Sequence, residues 1–333
     1  NRQGYIKTNE VDGDYGRNLG GELEQLTDDG KWRFRVGGLT SIKENYRSKN
    51  NHLYGHAAYA GQRFRTVLEV QHIGENYFAD MGFTGRLEQY DPDQNQIVRL
   101  GFTQVSNMLD YYTYPKSSKK LDYHWSGLEN FAYLSPDGSI NEWYTRLRHF
   151  FFFKNTSTLR FRLNNNFVDL IYPFAITEVP LPAKKYNMTE FNVQYNTDTR
   201  KDVWFFLFAV YGEFFEGTKL TTKGEVLFRR QPWGTFAFGL EQNNIYMPEP
   251  YGNLELTLAN GRVEVNFASN IFWTTFLQYN TQANNFNLNS RLQWRFAPMS
   301  DLYLVYTDNN RVEPSFGPKD KTLVLKLNYW LSL

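Results

Sequence analysis

The stretch RLQWRFAPMSDLYLVYTD (291–308) decides what kind of fold this sequence encodes. In its first half Arg291, Gln293 and Arg295 share one parity, and Leu292, Trp294 and Phe296 share the other. A four-residue turn, 297–300, leads into a second apolar-rich run. Successive side chains of a strand point to opposite faces, so the pattern predicts a hairpin with arginines on one face and bulky hydrophobes on the other. In a half-solvated sheet the apolar face would be the core. In a membrane barrel it would meet lipid, and the arginines would line the interior.

The same period of two recurs along the chain, and a helical period of 3.6 is nowhere sustained. Trp32, Phe34 and Val36 oppose Lys31, Arg33 and Arg35, and Phe64, Leu68 and Val70 oppose Arg63, Arg65, Glu69 and Gln71. Leu159, Phe161 and Leu163 oppose Arg160, Arg162 and Asn164, while Phe191, Val193 and Tyr195 oppose Glu190, Asn192 and Gln194. Val263, Val265 and Phe267 oppose Glu264 and Asn266. Residues 149–153 and 203–211 are apolar on both parities and are expected to face a plug, a partner or a protomer interface. The pattern gives about 16–18 strands of roughly 9–13 residues, longer than the usual five or six. Short connections at 155–157, 198–202, 231–234, 269–270 and 297–300 alternate with long ones at 172–186, 244–254 and 309–319, the asymmetry of outer-membrane barrels.

Composition narrows the class. A chain of 333 residues holds two average domains or one large β architecture, and the expectation is one barrel over 1–333, with 1–16 as an N-terminal extension or periplasmic lead-in. A net charge of +1, with both signs interspersed, gives no pull towards nucleic acid. The lack of cysteine excludes a disulfide framework and thiolate chemistry, and fits an exported protein. Aromatic residues make up 18% of the chain although mean hydropathy is −0.58. No apolar run is long enough for a transmembrane helix, and the polar start at Asn1 fits a mature or trimmed product. Barrel strands need an apolar residue only at every second position, which reconciles a hydrophilic average with abundant large rings.

Trp32, Trp204, Trp233 and Trp273 lie in or just after short turns, Trp294 just before one, and Trp330 near the end of the last strand on its polar parity. These six are expected to form an aromatic girdle at one membrane–water rim. Hairpin-end packing in a soluble sandwich is the other reading. In TLVLKLNYWLSL (322–333), Leu323, Leu325, Leu327, Tyr329, Leu331 and Leu333 oppose Thr322, Lys326, Asn328 and Ser332. Leu327, Tyr329, Leu331 and Leu333 are the expected barrel-assembly signal, with Leu333 where a phenylalanine is usual.

Three stretches carry a family resemblance: TVLEVQHIGENYFADMGFTGR (66–86), NSRLQWRFAPMSDLYLVYTDN (289–309) and LVLKLNYW (323–330). They resemble the uncharacterised bacterial outer-membrane β-barrel domain usually found C-terminal to a family 9 carbohydrate-binding-like module. The resemblance implies fold and location, but no activity and no catalytic residues. The module itself is absent here, which fits either a barrel-only relative or a longer precursor that lost its front portion.

No enzyme constellation emerges. His52 and His56 would sit roughly 13 Å apart on one strand face. No HExxH, GxSxG, Walker or GxGxxG motif has a fitting context. MSD (299–301) reads as a turn, and the acidic turns at 27–30 and 91–94 match no calcium loop. No catalytic activity, cofactor or metal is expected. What stands out is one charged parity: Arg33, Arg35, Arg63, Arg65, Glu69, Arg160, Arg162, Glu190, Glu225, Arg229, Glu264, Arg291 and Arg295. As lumen-lining residues they would either set up a field across a water-filled channel or pair and brace a closed interior.

Segments 107–120 and 172–185 are candidates to fold inward. Tyr111, Tyr112 and Tyr114 beside Asp110 could stack on sugars or simply pack against each other. The expected function is a porin-like channel or uptake component of the bacterial outer membrane for small hydrophilic solutes, saccharides among them. A closed barrel anchoring or scaffolding an envelope complex is the alternative. Expected partners are membrane lipid and lipopolysaccharide, the barrel-assembly machinery, and other outer-membrane or periplasmic proteins, with no nucleic acid.

Overall fold

The computed structural model describes residues 2–11, 14–79 and 84–331, with side chains from Tyr15 onward. Every regular element among the described residues is a strand. In chain order they are β1 (Arg2–Val11), β2 (Asp14–Leu26), β3 (Trp32–Lys43), β4 (Asn51–Ala60), β5 (Phe64–Ile73), β6 (Glu88–Asp91), β7 (Gln96–Arg99) and β8 (Phe102–Thr113). Next come β9 (Leu121–Leu134), β10 (Ile140–Phe153), β11 (Thr158–Asp169), β12 (Phe174–Ala175), β13 (Pro180–Leu181), β14 (Lys185–Asn196) and β15 (Val203–Phe214). The last are β16 (Gly217–Arg230), β17 (Gly234–Tyr246), β18 (Asn253–Ala268), β19 (Ile271–Asn280), β20 (Asn285–Ala297), β21 (Ser300–Arg311) and β22 (Gly317–Asn328).

Eighteen of these form one sheet in which each strand pairs with the next; β6–β7 and β12–β13 are separate two-stranded hairpins. The sheet strands are 10 to 16 residues long. The chain divides into two compact units, the first built on Asn1–Ser118, Tyr123–Phe150 and Arg162–Glu190, the second on Lys119–Asp122, Phe151–Phe161 and Phe191–Leu333.

Directly opposed residues of an antiparallel pair share a face, so the registers sort the side chains. In the first unit Leu23, Val36, Gly55, Val70 and Val105 form one row across β2–β5 and β8. Glu24, Arg35, His56, Glu69 and Ser106 form the neighbouring row on the other face. In the second unit Trp273, Leu292, Leu304 and Leu325 share a row, while Phe272, Gln293, Tyr303 and Lys326 share the opposite one. The apolar rows are the exposed ones: Val36 is 58% exposed and Leu325 69%. The compact apolar core of Ile73, Tyr77, Leu87 and Phe102, with Leu39 and Tyr133 against it, sits on the charged side.

Several expectations change. Within segment 1–16, Arg2–Val11 is a strand paired with β2. The long connections expected at 244–254 and 309–319 shrink to 247–252 and 312–316. Polar residues there belong to strands and are satisfied within the sheet: Asn244 opposes Glu255 and accepts from Gln242 at 2.9 Å, and Asn310 donates to Asp308 at 2.9 Å. The two-residue turn 215–216 departs from the short–long alternation, which holds from β16 onward: 231–233, 269–270 and 298–299 are shorter than 247–252, 281–284 and 312–316. The longest connection is 74–101, between β5 and β8.

Close strand approach leaves no room for a side chain at Gly234, where a Cβ would lie 2.0 Å from the Glu264 carbonyl oxygen. At Gly224 the nearest atom would be Leu207 Cδ2 at 3.8 Å. Gly234→Ala should therefore cost about 1–3 kcal/mol as a lowered urea midpoint in micelles. Gly224→Ala should stay within about 0.5 kcal/mol. Equal midpoints would contradict the β17–β18 register.

Candidate functional site: the charged face of the sheet

The densest part of the charged face spans β8–β11 and β14. Arg148 reaches Asp110 at 2.9 Å and Glu129 at 3.5 Å, and Arg146 reaches Glu129 at 3.4 Å. Arg146 Nε also donates to Asn164 Oδ1 at 3.0 Å, and Asn164 Nδ2 donates to Glu190 Oε1 at 2.6 Å. The Asp110 side chain is only 6% exposed, so its charge depends on the adjacent guanidinium. Aromatic rings floor the network: Trp125 and Phe150 stand 4.4 Å apart, with Arg148 over the first and Arg162 over the second.

All thirteen charged residues picked out from the sequence lie on this face or, for Arg63, in the turn preceding β5. Arg33 and Arg35 approach Glu24 and Glu22 at 3.7 and 3.9 Å. Tyr54 donates to Glu22 at 2.5 Å, and His56 approaches Glu69 at 3.6 Å. Arg65 stacks on Tyr112, Arg160 on Phe152, and the Arg63 carbonyl accepts the Tyr112 N–H. Glu264 pairs with Arg262, and Arg295 with Asp301 at 3.2 Å. Glu225 and Arg229 face Gly239 and Thr235 across β16–β17. The sequence reading set Asp110 beside the tyrosines rather than in a charged network, and it missed Glu129, Arg146 and Arg148, although the Arg146-Leu147-Arg148 alternation is visible.

Trp32, Trp273 and Trp294 lie on the apolar face, and Trp233 and Trp330 are exposed beside the strand ends. Trp204 differs. It opposes Leu227, in line with Phe206 opposite Glu225 and Phe208 opposite Lys223, and so lies on the charged face. β15 is apolar on both parities, so only its register could assign it. Leu327, Tyr329 and Leu331 are exposed, and Leu333 lies outside the described residues.

The expected inward loops also change. Residues 107–113 continue β8, where Tyr111 opposes Phe64 on the apolar face and Tyr112 points the other way. The three tyrosines therefore form no common sugar platform. Segment 172–185 carries the β12–β13 hairpin, with Leu181 fully buried. The chain that covers the charged face is the described part of the β5–β8 connection, 74–79 and 84–101. Its Phe78 N–H donates to Ser41 Oγ at 3.1 Å, Tyr77 packs edge-on to His52, and Arg99 donates to the carbonyls of Glu75 and Tyr77. Arg86 is the latch: it stacks on Tyr133 at 3.9 Å and donates to Glu142 at 2.7 Å and Asn141 at 2.8 Å. Burial pushes the Tyr77 phenol above its ordinary pKa. The 91–94 turn inside this connection is closed by Asp91, which accepts the N–H groups of Asp93 and Gln94. Among the described residues no group of three or more His, Asp or Glu could hold a metal.

No protein-family model and no curated protein matches the chain, so the family resemblance rests on its three stretches alone. Among solved structures, a mutant of the ferric enterobactin receptor PfeA from Pseudomonas aeruginosa aligns with 96% of this chain and 71% of its own, at 7% identity and a TM-score of 0.40. The siderophore receptor PirA from Acinetobacter baumannii aligns over the same shares at 9% identity and a TM-score of 0.38. At these values the likeness carries no assignment of ligand or mechanism.

Removing Arg148 strands a buried carboxylate. Arg148→Gln should destabilise the protein by about 3–5 kcal/mol, and adding Asp110→Asn should recover part of that loss, both read as urea midpoints in micelles. Additive losses in the double variant would show that the two charges do not form a pair.

Proposed function

We propose that this chain is a β-barrel of the bacterial outer membrane, whose apolar face meets lipid and whose charged face lines an aqueous path for small hydrophilic solutes. The observation that carries this reading is the exposure of the apolar rows while charged residues pair on the opposite face. In water so large an apolar surface would drive association, whereas hydrocarbon covers it without cost. Strands of 10 to 16 residues meet or exceed the roughly 9–11 needed to span a bilayer. A barrel of eighteen strands is wide enough for an aqueous channel. In this reading the 74–101 connection lies within the lumen and narrows it, held by Arg86. The structural neighbours are named as a ferric enterobactin receptor and a siderophore receptor; this proposal does not extend to such ligands.

The scaffold reading draws on β15, where Val203, Phe205, Leu207 and Tyr211 are exposed and the reverse face is also aromatic. Planar-bilayer recordings separate the two. The channel reading expects ohmic conductance that rises in Arg86→Ala as the connection is released. Silence at every voltage, with a partner retained through purification, would overturn it in favour of the scaffold.

The membrane assignment has its own test. Leu207→Arg places a charge on the lipid side and should cost about 2–4 kcal/mol of folding into vesicles if it lies near the midplane. Glu225→Gln, on the charged face, should stay within about 0.5 kcal/mol. Equal tolerance at both positions would reverse the faces.

A further inference from the structure

On the charged face of the second unit, Thr235, Glu264, Thr274 and Arg291 form one row across four strands, β17 to β20. Phe272 opposes Gln293 in the next row on that face. These residues line a depression of about 370 Å³, within the roughly 300–1,000 Å³ of small-molecule sites.

The local charge is unbalanced. Glu264 is engaged by Arg262, and Asp301 by Arg295 and by Gln293 at 2.8 Å. Among the described residues Arg291 forms no ion pair. Glu264 stands two strands away in the same row, roughly 10 Å between backbones. The depression is thus left with a guanidinium whose planar fork matches a carboxylate or phosphate. The threonine hydroxyls add groups able to donate or accept hydrogen bonds. Phe272, with the Arg295 guanidinium 6.0 Å from its ring centre, supplies an apolar floor.

We propose that this depression binds a small anionic, hydroxyl-bearing solute, a sugar acid or a sugar phosphate, with Arg291 as its main anion contact. The inference rests on the channel reading for access, and it names the class of solute that pauses there.

Calorimetry on the full chain in micelles tests it with glucuronate, glucose 6-phosphate and glucose. At least one charged sugar should bind, with glucose about tenfold weaker or more, and the tighter of the two anions identifies the headgroup. Arg291→Gln should lose about tenfold in affinity for that anion with an unchanged urea midpoint, whereas Lys201→Gln, in the 197–202 turn, should bind like the parent. Equal affinity for glucose, or an unaffected Arg291→Gln, would overturn the site. Specific binding without bilayer conductance would uphold the site and sink the channel; conductance without binding would do the reverse.

Discussion

Backbone pairing is the constraint on which everything else in this structure depends. A strand whose outer face meets hydrocarbon has no water to satisfy its N–H and C=O groups, so each must find a partner in the neighbouring strand. Once the ladder is fixed, the period of two dictates which side chains face which medium, and a slip of one residue would exchange the two sets. The irregularities are placed accordingly. In β18–β19, β20–β21 and β21–β22 the register shifts fall at Asn266/Ala268, Arg295/Ala297 and Asn309/Asn310, at or near the ends of their strands, leaving the middle of these three ladders in step.

Where one parity is apolar and the other charged, the sequence is sufficient to place both. Arg291 and Leu292, Arg33 and Phe34, and Glu190 and Phe191 all fall on the faces that alternation predicts. Legibility fails for three physical reasons. β15 carries apolar side chains on both faces, so Trp204 could be placed only by its pairing with β16. Polar strand ends read as loops because Asn, Gln and Thr serve either role, depending on whether a cross-strand partner is in reach. The folding back of 74–101 depends on Ser41, Tyr133 and Glu142, which are remote in sequence and carry no local signature.

The charged face is not uniform. Around Arg148 the charges are consumed: Arg146, Arg148, Asp110 and Glu129 hold one another, over aromatic rings, in an arrangement that rigidifies. Around Arg291 the pairing is incomplete, and a cation faces open volume. Charge that is paired contributes to the frame. Charge that is not paired is available to a solute.

The contacts that hold 74–101 also set an order of assembly. Its hold on Ser41 and His52 uses strands made before it, but the Arg86 latch needs Tyr133 and Glu142, which are synthesised after it. The segment can close only when β9 and β10 have paired alongside β8. Until then the segment stays unfastened at Arg86, so its closure reports the pairing of β9 with β10 and is independent of the later strands of the same unit.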